Sequence, residues 1–138
     1  MRIPSAAAAL LLCVACVDRP QPPPGAAGPV EAVQDFAAAL AKGDEDAAWS
    51  LLSSRTQREA DALAKKAHDA AGAAGPDSGK QMLFSSALRG VTPQARELSA
   101  SGADSAEVET SADGGARRTF HVVREGGLWK VDLPSGNP

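Results

Sequence analysis

The spacing of the apolar residues changes along the chain, and this change limits the fold more than any other feature. Between residues 29 and 90 the apolar side chains recur every three or four positions, which is typical of helices with one buried face. From about residue 95 they alternate with polar residues, which is typical of strands with one wet face. The order predicts an α+β domain, in which N-terminal helices pack on one face of a C-terminal antiparallel sheet.

The first two predicted helices meet at a glycine. The first begins at Pro29, and its apolar stripe contains Val30, Val33, Phe36, Ala37 and Leu40. Gly43 is expected to end it in the left-handed conformation, and Asp44 to cap the second. The buried face of the second helix is expected to contain Ala48, Trp49, Leu51 and Leu52.

Two further helices are predicted before the sheet. The run Ser54-Arg55-Thr56-Gln57 predicts a capping box for the third helix, which ends near Gly72. Leu63 is the only large apolar side chain of this helix, so we expect the helix to lie on the surface of the domain. The fourth helix is predicted from Lys80 to Arg89.

Four strands are predicted after residue 95, and together they form an antiparallel meander. The alternating stretches are 97–101, 106–110, 117–124 and 128–133, with Gly-rich turns before the last two. In the last strand Trp129, Val131 and Leu133 alternate in phase, so we expect them to face the helices near Phe36, Phe120 and Leu83. The opposite face of that strand carries Leu128, Lys130 and Asp132 and is expected to be wetter.

Both cysteines lie at the end of a short apolar run near the N-terminus. A basic start at Arg2 and about ten apolar residues, too few to span a bilayer, predict a secretory signal peptide over residues 1–15. The run Cys13-Val14-Ala15-Cys16 resembles the lipobox of bacterial lipoproteins, although Leu is usual where Cys13 stands. The resemblance implies that Cys16 is the lipidated N-terminus and that a lipid on Cys16 binds the membrane.

A Pro-rich stretch follows Cys16, and it divides the chain. Residues 16–28 are predicted to be an extended tether, because proline favours polyproline II over a packed core. Residues 29–134 then form one small domain without cysteine, and 135–138 a short tail. The lipoprotein resemblance implies a location in the cell envelope. In this resemblance the outer membrane is favoured over the inner membrane, because Val17 rather than an acid follows Cys16.

Two segments resemble the nuclear-transport-factor-2-like fold, also called cystatin-like. "AVQDFAAALAKGDEDAAWSLLS" (residues 32–53) is similar to the family's first two helices, and "HVVREGGLWKVDLP" (residues 121–134) to its closing hairpin. The short form of this fold occurs in bacterial lipoproteins of unknown function. The resemblance implies a cone-like domain over residues 29–134 whose pocket is shallower than that of larger relatives.

The residues offer little for catalysis or metal binding. His68 lies on a polar helix and His121 on a strand, and no histidine pair has ligand spacing, so no metal site is predicted. The ketosteroid isomerases and polyketide cyclases of the superfamily that these segments resemble share an Asp or His deep in the cone, which acts as an acid or base. The isomerases also use a Tyr, and this chain has no Tyr. Asp35 and Asp46 are the acids nearest to the expected core faces of the helices, and helix capping or exposure to solvent explains each of them better than a catalytic role. We therefore predict no catalytic residue and no cofactor.

The charges are few and interspersed. The net charge is −3 with no basic patch, which argues against nucleic-acid binding. Glu107 and Glu109 alternate with Val108, and Arg117 and Arg118 open the next strand. Cross-strand Glu–Arg pairing on a solvated face accounts for these acids better than acid/base chemistry.

Three functional hypotheses follow from the sequence. The first is a membrane-anchored envelope lipoprotein with a non-catalytic binding or assembly domain for a protein partner or a small apolar ligand. The second is a small-molecule enzyme that uses His121 with a carboxylate. The third is a structural or inhibitory protein that adds its sheet to a partner through an unprotected edge strand.

Overall fold

Helices precede an antiparallel sheet in the structure, a computed structural model that describes residues 26–85, 94–100 (backbone only), 102–111, 115 and 117–134. The predicted α+β order is therefore confirmed. The elements are α1 Pro29–Lys42, α2 Glu45–Ser50, α3 Ser54–Ala71, a 3₁₀ turn Gly72–Ala74, α4 Gly79–Phe84, β1 Gln94–Ala100, β2 Ser105–Ser111, β3 Arg117–Glu125 and β4 Leu128–Asp132. The predicted signal peptide, the tether up to residue 25, residues 86–89 of the predicted fourth helix, residue 101 of the predicted first strand and the tail lie outside the described residues.

The junction between α1 and α2 forms as predicted. Gly43 adopts a left-handed conformation with φ 72°, and its N–H bonds the last turn of α1. The Asp44 carboxylate accepts the N–H of Ala47 at 3.0 Å and so caps α2.

The cap of α3 lies one residue earlier than predicted. Ser53, not Ser54, is the N-cap, and its hydroxyl oxygen accepts the N–H of Thr56 at 3.1 Å. Gln57 does not close a capping box in the predicted way. Its side-chain amide instead donates to the carbonyl of Trp49 at 2.7 Å, which links α3 to α2.

The strands pair in chain order, β1-β2-β3-β4, and each pair is antiparallel. The β3–β4 connection is a two-residue turn in which Gly126 and Gly127 have φ of 59° and 85°. Two consecutive positive φ values are characteristic of the tight hairpin turn that matches strand twist, and glycine adopts them without steric strain. The "REGGLW" segment therefore fixes the register of the last two strands.

Helix α1 packs across the sheet and forms the core with it. The Phe36 ring lies 6.4 Å from that of Phe84 and 6.3 Å from that of Phe120, so three rings meet between helix and sheet. The buried core residues are Val33, Phe36, Ala39, Ala48, Leu51, Leu52, Phe84, Ala106, Val108, Val122 and Val131. The inner-face pattern predicted for β2 is confirmed, since Ala106, Val108 and Thr110 are all buried.

The last strand follows the predicted alternation on one face only. Val131 is fully buried, and Trp129 and Leu133 are partly buried and pack against the core, as expected. The opposite face is not uniformly wet, because Asp132 is only 8% exposed. The prediction for Asp132 was therefore wrong, and the start of α3 supplies the reason, as described below.

The outer edge of β4 is paired with two segments from earlier in the chain. Ala26 exchanges two backbone hydrogen bonds with Trp129, at 3.2 and 2.8 Å. Further along, Val131 donates to Leu51 and accepts from Ser53, both at 2.8 Å. The prediction that Leu51 and Leu52 belong to the second helix was wrong, since the chain leaves α2 at Ser50 and passes along the sheet edge.

Helix α3 packs against α4 and the 3₁₀ turn rather than across the sheet. Its buried stripe consists of Thr56, Ala60 and Ala64, and Leu63 is exposed, as expected for a surface helix. Small residues on both sides permit close contact: a Cβ at Gly79 would lie 2.5 Å from the backbone nitrogen of Asp61. Across the described ranges, no helix combines the length and apolar character needed to cross a membrane.

Candidate functional site

Asp132 is the centre of a polar cluster at the junction of α3 and β4. Its side chain is 10% exposed, although a carboxylate is rarely buried unless it is paired. The cluster consists of Ser53, Arg55, Thr56, His121 and Asp132. Three elements bring these residues together: the first turn of α3, strand β3 and the end of β4.

Arg55 is the main partner of the buried carboxylate. Its Nε donates to Oδ1 of Asp132 at 3.1 Å and its Nη2 to Oδ2 at 2.7 Å, so the two planar groups are joined by two parallel bonds. The same guanidinium donates to the carbonyl of Leu133 at 2.6 Å and pairs with Glu59 one turn along α3. Arg55 thus ties the start of α3 to the end of β4.

The first turn of α3 adds two hydroxyl donors. The Ser53 hydroxyl donates a short hydrogen bond to Oδ1 of Asp132, and the Thr56 hydroxyl lies 3.4 Å from the same oxygen. The Thr56 hydroxyl oxygen also accepts the N–H of Leu133 at 2.9 Å. A negative charge beside a helix N-terminus is stabilised by the helix dipole and by N–H groups that have no partner within the helix.

A second carboxylate, from the β3–β4 hairpin, occupies the remaining side of the helix start. Glu125 accepts the backbone N–H of Ser54 at 3.1 Å and the Ser54 hydroxyl at the same distance. The neighbouring Lys130 ammonium donates to the carbonyl of Ser50 at 2.6 Å, and desolvation by burial lowers the pKa of this lysine. The hairpin therefore holds both ends of the segment that joins α2 to α3.

The pKa of Asp132 reflects two opposing causes. Burial raises the pKa of its carboxyl group, but the hydrogen bonds from Arg55, Ser53 and His121 lower it by more, so the net pKa lies below the ordinary value. The hydrogen bond to Asp132 raises the pKa of Arg55 in return. A carboxylate held ionised in this way is poorly suited to accept a proton as a general base near neutral pH.

His121 reaches the cluster from β3, and its side chain is 44% exposed. Its Nδ1 lies 3.3 Å from Oδ2 of Asp132, and the strand register places it between Glu107 on β2 and Asp132 on β4. The structure thus brings His121 together with a carboxylate, which the enzyme hypothesis requires. However, hydrogen bonds from Arg55 and Ser53 already engage both oxygens of that carboxylate.

The other residues singled out from the sequence lie apart from this cluster. Cys16 is outside the described residues. Asp35 is exposed, and Asp46 lies in the first turn of α2, where it pairs with Lys80. His68 lies twelve residues beyond Thr56 on the same helix, about 18 Å away at 1.5 Å per residue.

The predicted cross-strand Glu–Arg pairing is confirmed for one pair, although its acid is not solvated as expected, since the Glu109 side chain is only 15% exposed. Nη1 of Arg117 lies 3.8 Å from Oε1 of Glu109, on the sheet face opposite α1. Glu107 is exposed beside it. Within the part of the chain that the structure describes, no group of three or more His, Cys, Asp and Glu side chains has the geometry to hold a metal ion.

Sequence reasoning missed Ser53, Arg55, Thr56 and Asp132 as members of one site. The residues from α3 are separated from Asp132 by 76 to 79 positions, so no local spacing indicates the contact. The sequence of β4 contains one weak signal: Asp132 is a charged residue that lies between the apolar residues Val131 and Leu133, just before the end of the domain. Only the position of α3 shows that this residue is buried and paired.

Comparisons with protein-family models, with curated proteins and with solved structures give no match. The functional assignment therefore depends on the chain's own residues.

Proposed function

We propose that the chain is a lipid-anchored lipoprotein of the bacterial cell envelope, and that its domain is a non-catalytic binding or assembly module. The observation that carries the proposal is the run Cys13-Val14-Ala15-Cys16, which follows an apolar segment and precedes a Pro-rich stretch. Cys16 is the acylated residue in this proposal. The domain then faces the envelope space on a tether of a few tens of ångströms.

The finer description of the fold belongs to the same proposal. We infer a short nuclear-transport-factor-2-like domain in which a four-strand meander curves around α1 like a cone. The pairing order of the strands and the packing of α1 across them support this inference. The packing between α1 and the sheet also supports a non-catalytic role, because the Phe36, Phe84 and Phe120 rings that meet there carry no group that can act as an acid or base.

The test of the anchor uses the two cysteines as a matched pair. Cys16→Ser should release the protein from the membrane fraction and abolish incorporation of a labelled fatty acid, because the acylated atom is gone. Cys13→Ser is the control, since Cys13 is removed with the signal peptide in this proposal. Full membrane retention and labelling of the Cys16→Ser protein would rule out the lipoprotein assignment.

A second candidate function rests on the contact between His121 and Asp132. An enzyme of the ketosteroid isomerase or polyketide cyclase type would use the imidazole as acid or base and the carboxylate to orient it. The bonds from Arg55 and Ser53 to Asp132 favour a structural role for that carboxylate instead. We therefore expect His121→Ala to preserve cellular function.

The outcome distinguishes the two candidates if folding and export are measured as well. A His121→Ala protein that is folded, exported and anchored but inactive in cells would favour the enzyme. His68→Ala is the matched control, because His68 lies elsewhere on the surface. The binding partner is then identified by mass spectrometry of the proteins and lipids that co-purify with the anchored protein.

A further inference from the structure

We draw no further inference here: the strongest candidate, the open groove between the second half of α3 and the loop that leads into α4, is a cluster of carboxylates in which Asp61 and Asp69 already accept hydrogen bonds from Gly79 and Lys65, and no second feature of the described residues points to a ligand there.

Discussion

Asp132 shows how one buried charge holds two elements together. Its carboxylate accepts hydrogen bonds from Arg55 and Ser53, and its pKa lies below the ordinary value. A lowered pKa means that the folded state favours the ionised form. The resulting stabilisation is present above about pH 4, the ordinary pKa of aspartate, and is lost as the pH falls through the lower pKa of the folded state.

Asp132→Asn tests this role, because it keeps the shape of the side chain and removes the charge. We expect the substitution to lower the free energy of unfolding at pH 7 by about 2 kcal/mol, the range for hydrogen bonds to a charged group, reduced because Arg55 is partly exposed. Denaturant titrations should show this difference to shrink as the pH falls below about 4. Asp35→Asn, at an exposed position, is the control. A difference that grows below about pH 4 would contradict the assignment.

Trp129 provides the second prediction at the scale of a residue. It is partly buried against the core, in phase with the fully buried Val131. Because burial is partial, Trp129→Ala should lower the free energy of unfolding by about 3 kcal/mol, the low end for a core tryptophan. For a domain of this size the melting temperature should fall by more than about 10 °C. Leu63→Ala, at an exposed site on α3, should change it little, and equal effects of the two would place Trp129 on a binding surface instead.

The contact between α3 and α4 depends on the absence of a side chain at Gly79. Its Cβ would lie 2.5 Å from the backbone of Asp61 and 2.8 Å from the Cβ of Ala60, so Gly79→Ala must push the two helices apart. We expect a loss of at least about 2 kcal/mol in the free energy of unfolding, measured by denaturant titration. Gly126→Ala is the matched control: its Cβ meets nothing within 4 Å, but its φ of 59° costs about 1–2 kcal/mol. A smaller loss at Gly79 than at Gly126 would show that the contact between the helices can relax.

Elements were predictable where the signal is local. The cap at Asp44, the left-handed Gly43 and the hairpin turn at Gly126 all depend on residues within four positions of one another, and all three form. The face that α1 buries was predicted only in part from helical spacing: Val33 and Phe36 are buried as expected, but the other buried residues are Ala32 and Ala39. The helix and strand signals therefore gave the order of the elements correctly.

The polar cluster was not predictable, because its contacts are not local. Alternation placed Asp132 on a wet face, and nothing within β4 shows that the start of α3 covers it. The shift of the α3 cap from Ser54 to Ser53 has the same origin. The backbone of Ser53 is paired with Val131 across the sheet edge, so tertiary contact decides where the helix begins.

At the scale of the whole molecule, the end of the predicted tether is part of the sheet. Composition assigns Ala26 to the tether, yet Ala26 is only 5% exposed and exchanges two hydrogen bonds with Trp129 at the edge of β4. The chain therefore enters the domain along the sheet edge rather than at Pro29. If Cys16 carries a lipid, this pairing fixes the side of the domain from which the tether leaves.

Ala26→Pro tests whether that pairing belongs to the folded domain. Proline removes the N–H that Ala26 donates to the carbonyl of Trp129 at 3.2 Å, but its φ suits an extended segment. The lost bond should lower the free energy of unfolding by about 1 kcal/mol and the melting temperature by about 4–8 °C. Ala27→Pro, at the exposed neighbouring position, is the control. It should change the free energy of unfolding by no more than about 0.5 kcal/mol and leave the melting temperature nearly unchanged.

If both variants melt at the temperature of the unsubstituted chain, the edge pairing does not stabilise the fold and Ala26 belongs to the tether. If only Ala26→Pro melts early, the domain begins at Ala26, and a tether shortened up to that residue would bring the sheet edge towards the membrane.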